Sequence, residues 1–176
     1  MGIHGSLELI KQLRETTSLG VSDCRKALYE AKGDVTKAKD ILMKRGLEIA
    51  AKKSDRIAKA GRIASYIHHD NKTGVLVEVN SETDFVARNE EFIKFSSDVA
   101  LHVAAMKPRY VKREDVPQET VKEQADGEAF CKEACLLEQP FVKNPSLTIK
   151  EYLNSIIAKV GENVIIRRFT RFQIGE

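Results

Sequence analysis

Ile63-Ala64-Ser65-Tyr66-Ile67-His68-His69 is followed, after Asp70-Asn71-Lys72-Thr73-Gly74, by Val75-Leu76-Val77-Glu78-Val79-Asn80. In the first run Ile63, Ser65 and Ile67 alternate with Ala64, Tyr66 and His68. In the second, Val75, Val77 and Val79 fall on one face, with Glu78 and Asn80 on the other. A period of two on both sides of a turn-forming pentapeptide predicts a β-hairpin. A third strand is expected over Asn163–Phe172, whose apolar parity breaks at Arg167-Arg168. Such a break predicts a bulge, or burial of both faces at one end. Helical spacing fills the interval between. Asn89 is placed to cap a helix with Phe92, Phe95, Val99, Val103 and Met106 on one stripe, ended by Pro108. A weaker helical stretch runs from Pro117 to about Leu136, interrupted by Gly127. Thr148 and Glu151 form a capping box ahead of Ile149, Tyr152, Leu153, Ile156, Ile157 and Val160, and Gly161 closes that helix. Helices around a small, mostly antiparallel three-stranded sheet make an α+β core over residues 63–176.

Upstream of the hairpin the period is that of a helix. Ser6 is placed to cap a first helix with Leu7, Ile10 and Leu13 on one stripe, ending in Thr16-Thr17-Ser18. Ser22 offers the next N-cap, with Cys24, Ala27, Leu28 and Ala31 at i, i+3, i+4, i+7 spacing. Gly33 suits a left-handed helix end, and Asp34 can cap a third helix carrying Val35, Ala38, Ile41 and Leu42, which is expected to stop near Gly46. Helices of about ten residues are marginal alone, so these three must bury their stripes against one another. Residues 47–62 lose the stripe and read as a helical extension passing into a linker, so residues 1–52 make a three-helix unit and 53–62 the linker.

The chain has 176 residues, of which 42% are apolar, with 29 Lys and Arg against 26 Asp and Glu. That composition supports a packed core and excludes a disordered charged tail. No apolar run approaches the ~18–20 residues of a membrane span. Met1–Ser6 lacks the basic-then-apolar layout of a secretory signal. Three scattered cysteines, Cys24, Cys131 and Cys135, make no disulfide framework. The expectation is a soluble, cytoplasmic protein. Residues 1–62 are basic, but Tyr29 is the one aromatic side chain among them, so a nucleic-acid surface that stacks bases is disfavoured.

A search for catalytic chemistry finds little. There is no phosphate-binding glycine loop of either common kind. Cys131 and Cys135 are spaced to share a helix face without further ligands for a metal. His68 and His69, as neighbours on a strand, point to opposite faces and cannot chelate one ion. His102 reads as a half-buried histidine at a helix edge or as a contact residue. No cofactor is expected. The informative segment is Asn80-Ser81-Glu82-Thr83-Asp84-Phe85-Val86-Ala87-Arg88-Asn89, which joins a strand to a helix. Thr83 or Asp84 can cap there. Phe85 is either a hydrophobic staple into the core or an apolar knob beside a carboxylate, presented to a partner.

Leu13-Arg14-Glu15-Thr16-Thr17, Gly20-Val21-Ser22-Asp23-Cys24-Arg25-Lys26-Ala27-Leu28 and Gly33-Asp34 resemble the start of elongation factor Ts proteins. Val77–Ala87 resembles that family's central signature, and Gln139-Pro140-Phe141-Val142 and Gly161-Glu162-Asn163 through Ile166-Arg167-Arg168 resemble its later motifs. The resemblance implies a UBA-like three-helix domain, an α+β core, and guanine-nucleotide exchange on elongation factor Tu by protein–protein binding, without enzymatic groups. It implies that Arg14, Val21, Ser22 and Arg25 grip the GTPase, although Val21-Ser22 stand where longer relatives carry bulkier apolar residues. Thr83, Asp84, Phe85 and Val86 would then wedge near the Mg²⁺ site, and His102 would contact the partner near its phosphate loop. With residues for a single core unit, the chain resembles the short form that works as a homodimer. Ile165, Ile166 and Phe169 on the third strand are the candidate interface, with simple core packing as the alternative reading. Two rival readings remain: a UBA-like adaptor whose activity resides in residues 1–52, and a cysteine- or metal-dependent transferase.

Overall fold

Each amphipathic stripe of the sequence needs a partner surface, and the way the stripes pair sets the architecture. In the computed structural model, which describes residues 7–17 and 19–176, the first three helices are α1 (Leu7–Thr17), α2 (Val21–Glu30) and α3 (Val35–Ala51). They bury Ile10, Leu13, Cys24, Ala27, Leu28, Ala31, Ala38 and Leu42 as one cluster. Leu7 lies one turn beyond that cluster and is 85% exposed, so the stripe of α1 begins at Ile10. Ser6 and Ser18 lie outside the described residues. Ser22 is not a cap: the N-cap of α2 is Gly20, two residues earlier, with no side-chain cap bond. Asp34 does cap α3, accepting from the Lys37 N–H. The end of α2 is a paired left-handed closure. Lys32 (φ 52°) and Gly33 (φ 86°) donate to the carbonyls of Tyr29 and Leu28, so Gly33 stands second in the turn. Helix α3 does not stop at Gly46. It continues to Ala51, and Gly46 is a buried position facing the backbone of a later helix at Asn154.

Strand β1 (Ala60–Ile67) begins inside the segment expected as linker and pairs antiparallel with β2 (Thr73–Ser81). The four-residue helix α4 (Asp84–Ala87) and the long α5 (Glu90–Met106) follow. Asn89 caps α5, whose stripe is buried except for the last residue, Met106, at 41% exposure. The weak helical stretch resolves into α6 (Gln118–Lys122) and α7 (Gly127–Ala134), the latter capped by Asp126. A two-stranded hairpin, β3 (Pro140–Phe141) with β4 (Asn144–Thr148), was not legible in the sequence. The Thr148–Glu151 capping box opens α8 (Ile149–Val160), and β5 (Val164–Gln173) completes a three-stranded antiparallel sheet in the order β1-β2-β5.

The bulge falls where the parity breaks. Glu78 pairs with Arg168 and the next residue, Val79, with Ile166, so Arg167 is the extra residue. Before it Val164 and Ile166 face inward; after it Phe169 and Arg171 do. Of the three residues expected at an interface, only Ile165 therefore faces outward, at 40% exposure. Ile166 is buried in the core and Phe169 packs against it. Val75, Val77 and Val79 form the inner face with Ala64, under α5 and α8. On the other side of α8 lies α3, which carries Ile49 and Ala50 to the same core. Among the described residues nothing covers the outer face of the sheet, which shows Ile63, Ile67, Leu76, Ile165 and Phe172. Gly61 sits where β1 and β2 close up: with φ 142°, an added Cβ would lie 2.2 Å from the Val79 carbonyl oxygen. No other residue fits there.

Candidate functional site

The strand-to-helix corner is built by one threonine. Leaving β2, the Ser81 hydroxyl donates to the Thr83 carbonyl (2.9 Å), and Thr83 becomes the N-cap of α4 by accepting from the Val86 N–H (3.4 Å). The Arg88 N–H closes the single turn on the carbonyls of Asp84 and Phe85, and Asn89 starts α5 at once. Val86 and Ala87 are buried and anchor the corner in the core. A one-turn helix that buries its third and fourth residues must turn the first two away, and Phe85 is 83% exposed. Of the two readings open for Phe85, the staple is excluded. Asp84 is exposed beside it.

The corner is also braced from a distance. Glu162, between α8 and β5, accepts from both the Thr83 N–H (3.0 Å) and the Thr83 hydroxyl (2.7 Å). Sequence reasoning missed this residue, because its only signal is an acidic side chain in a turn 79 positions away.

The model for the family described as elongation factor TS matches residues 8–128 and 125–176. The chain belongs to the elongation factor Ts family. It is 48% identical to an elongation factor Ts from Carboxydothermus hydrogenoformans, over 96% of this chain and 88% of that one. It is 47% identical to one from Thermoanaerobacter pseudethanolicus (97% and 95% covered). A third, from Thermodesulfovibrio yellowstonii, is 46% identical with 96% of each chain covered. These proteins are translation factors by name.

The other residues singled out in the sequence divide into two groups. Arg14, near the end of α1, and Val21, Ser22 and Arg25, in the first turns of α2, are all exposed at the same end of the bundle. His102 is not at a surface. It is fully buried in α5, where a partner cannot touch it. Its Nδ1 accepts from the Val142 N–H (3.2 Å) and its Nε2–H donates to Gln139 Oε1 (2.9 Å). It thus ties the β3–β4 hairpin to α5. Asp98, one turn away, does the same by accepting from Lys143 (2.6 Å) and the Tyr152 hydroxyl (3.0 Å). Helical spacing put His102 near the apolar stripe but did not show that a hairpin covers it.

Burial pushes the His102 pKa down, partly offset by the bond to Gln139. The unfolded chain, at the ordinary value of about 6.5, therefore takes up this proton before the folded chain does. Stability is expected to fall as the pH drops below about 6.5, by up to about 1.4 kcal/mol per pH unit from this group, and to level off below the depressed value. Urea midpoints between pH 7.5 and 5 check this, and His102→Gln should lose that component of the slope.

His68 and His69 stand past the end of β1, so strand alternation does not separate them, and their rings meet at 4.3 Å. Among the described residues, no three or more His, Cys, Asp or Glu side chains group to hold a metal ion. Cys131 and Cys135 are buried together with Val116, and burial first, then neighbouring Cys131, raises Cys135 to about 11. A thiol held that high is a poor nucleophile at neutral pH. No helix among the described residues is long and apolar enough to cross a membrane.

Proposed function

We propose that this chain promotes release of GDP from elongation factor Tu, with the Thr83–Val86 corner as the working part. The observation that carries the reading is Phe85, held outside on a turn whose next two residues are buried. Leaving an aromatic ring in water forgoes up to about 1.5–3 kcal/mol of burial. That disadvantage makes sense where a partner supplies the pocket. GTPases hold their nucleotide through a phosphate cradle and Mg²⁺. A knob that disturbs the Mg²⁺ site removes positive charge from the phosphates and loosens GDP. No acid, base or nucleophile is needed. Exchange requires only that the factor and the nucleotide weaken each other's binding, and that coupling is reciprocal. Adding GDP should therefore weaken binding of this chain to elongation factor Tu as much as the chain weakens GDP. Equal affinity with and without GDP would refute the reading.

In this reading the bundle end with Arg14, Val21, Ser22 and Arg25 docks the factor and contributes affinity. Arg14→Ala and Arg25→Ala are each expected to raise the concentration for half-maximal exchange by about three- to tenfold. The rate at saturation should hold. A changed saturating rate with an unchanged half-saturation point would show that the roles are assigned wrongly.

The uncovered sheet face supports a homodimer as the working form. Its outward rows place Ile67 and Phe172 at one end, Leu76 beside Ser65 and Thr170, and Ile63 beside the Glu78–Arg168 pair (2.7 Å). Apolar side chains flanking a charge pair of both signs can meet a two-fold copy of themselves. A second copy also removes a bare β-surface that favours aggregation.

A further inference from the structure

We infer that Glu162 is a positioning residue for exchange: it fixes the direction in which the corner presents Phe85. The inference rests on the function proposed above. Burial of Val86 and Ala87 turns Phe85 outward, to 83% exposure, but a four-residue helix does not by itself fix the direction in which the ring then points. What decides it is Thr83, and both of its donors end on the Glu162 carboxylate, at 3.0 Å from the backbone N–H and 2.7 Å from the hydroxyl. A carboxylate receiving two donors from one residue holds it in a single orientation.

The residues on either side of Glu162 are themselves held. The Asn163 N–H donates to Glu82 Oε1 (2.6 Å), so the two turns exchange acidic brackets: Glu162 on Thr83, and Glu82 on Asn163. Glu82 also pairs with Arg56 at 3.6 Å. Asn163 is 3% exposed, and its side-chain amide donates to the carbonyls of Ser54 (3.3 Å) and Arg56 (2.7 Å). Lys53 donates to the Gly161 carbonyl. The turn Gly161-Glu162-Asn163 is thus bonded on one side to the corner and on the other to the segment leading out of α3. It joins the helical unit, which docks, to the corner, which acts. A corner oriented before it meets the partner needs no ordering on contact, and that advantage belongs to the step in which Phe85 enters.

The test compares Glu162→Ala and Glu162→Gln with the unaltered chain in fluorescent-GDP release from elongation factor Tu, and follows amide hydrogen exchange at residues 84–88. Glu162→Ala is expected to lower the saturating rate about tenfold with half-saturation within about twofold, and to speed exchange of those amides. Glu162→Gln keeps the size and one acceptor, should lose about threefold, and serves if the alanine variant melts early. In a Thr83→Val background, which has lost the hydroxyl bond and keeps only the backbone N–H to Glu162, either change should cost less than it does in the unaltered chain. Unaltered saturating rates, or a loss confined to half-saturation, would overturn the positioning role. If the unaltered chain releases no GDP, the exchange function itself fails, and the amide exchange alone then decides whether Glu162 holds the corner.

Discussion

Phe85→Ala should slow GDP release at saturating factor by about 10- to 100-fold, the largest kinetic effect expected of any single substitution in this chain. The range follows from the ring. Burying a phenylalanine is worth about 1.5–3 kcal/mol, and each 1.36 kcal/mol withheld from the barrier is a tenfold change in rate. The ring is 83% exposed in the free chain, so its removal costs the fold nothing. The melting temperature should stay within a degree or two, and binding to elongation factor Tu should weaken only modestly. Removing Mg²⁺ beforehand with EDTA should shrink the defect, because the step that Phe85 assists has then been bypassed. A defect of the same size without Mg²⁺ would place Phe85 elsewhere in the mechanism.

The second large effect concerns the outer face of the sheet. Leu76→Asp and Ile63→Asp should each turn the proposed dimer into a monomer at micromolar concentration, with a loss of association of at least about 100-fold. Two-fold symmetry is the reason: one substitution per chain puts two unpaired carboxylates into one apolar contact. Both residues face water in the single chain, at 46% and 65% exposure, so the monomer should fold as before. Ile166→Asp would not be a fair test, since Ile166 is 4% exposed and its loss would damage the core instead. Sedimentation equilibrium decides, and an unaltered chain that is already monomeric at micromolar concentration would remove the dimer from the account.

Much of this architecture was legible because it rests on local rules. Asn89, Asp34 and the Thr148–Glu151 box cap the helices expected of them, and the parity break at Arg167 is a bulge. These features depend on residues within four positions of each other. The readings that failed depend on what lies on top. Leu7 has the right phase for its stripe, but it lies beyond the packed cluster and is exposed. His102 has the right phase for a helix edge, but the Gln139–Val142 segment seals it. Gly46 looks like a helix end until α8 packs against it. Ser22 is a good capping residue two positions too late, because α2 already begins at Val21 and is capped by Gly20. At the corner, the sequence offered both a staple and a knob, and only the burial of Val86 and Ala87 separates them. The brace from Glu162 spans 79 residues, a separation no local pattern reports.

The central claim is that a braced corner on a docked factor loosens GDP. Its most direct test is the rate at which fluorescent GDP leaves elongation factor Tu, in the presence of Mg²⁺, as this chain is added in increasing amounts. A saturable acceleration approaching about 100-fold is predicted, within the range of ordinary coupling between sites. Tight binding of the chain with no change in the release rate would contradict it.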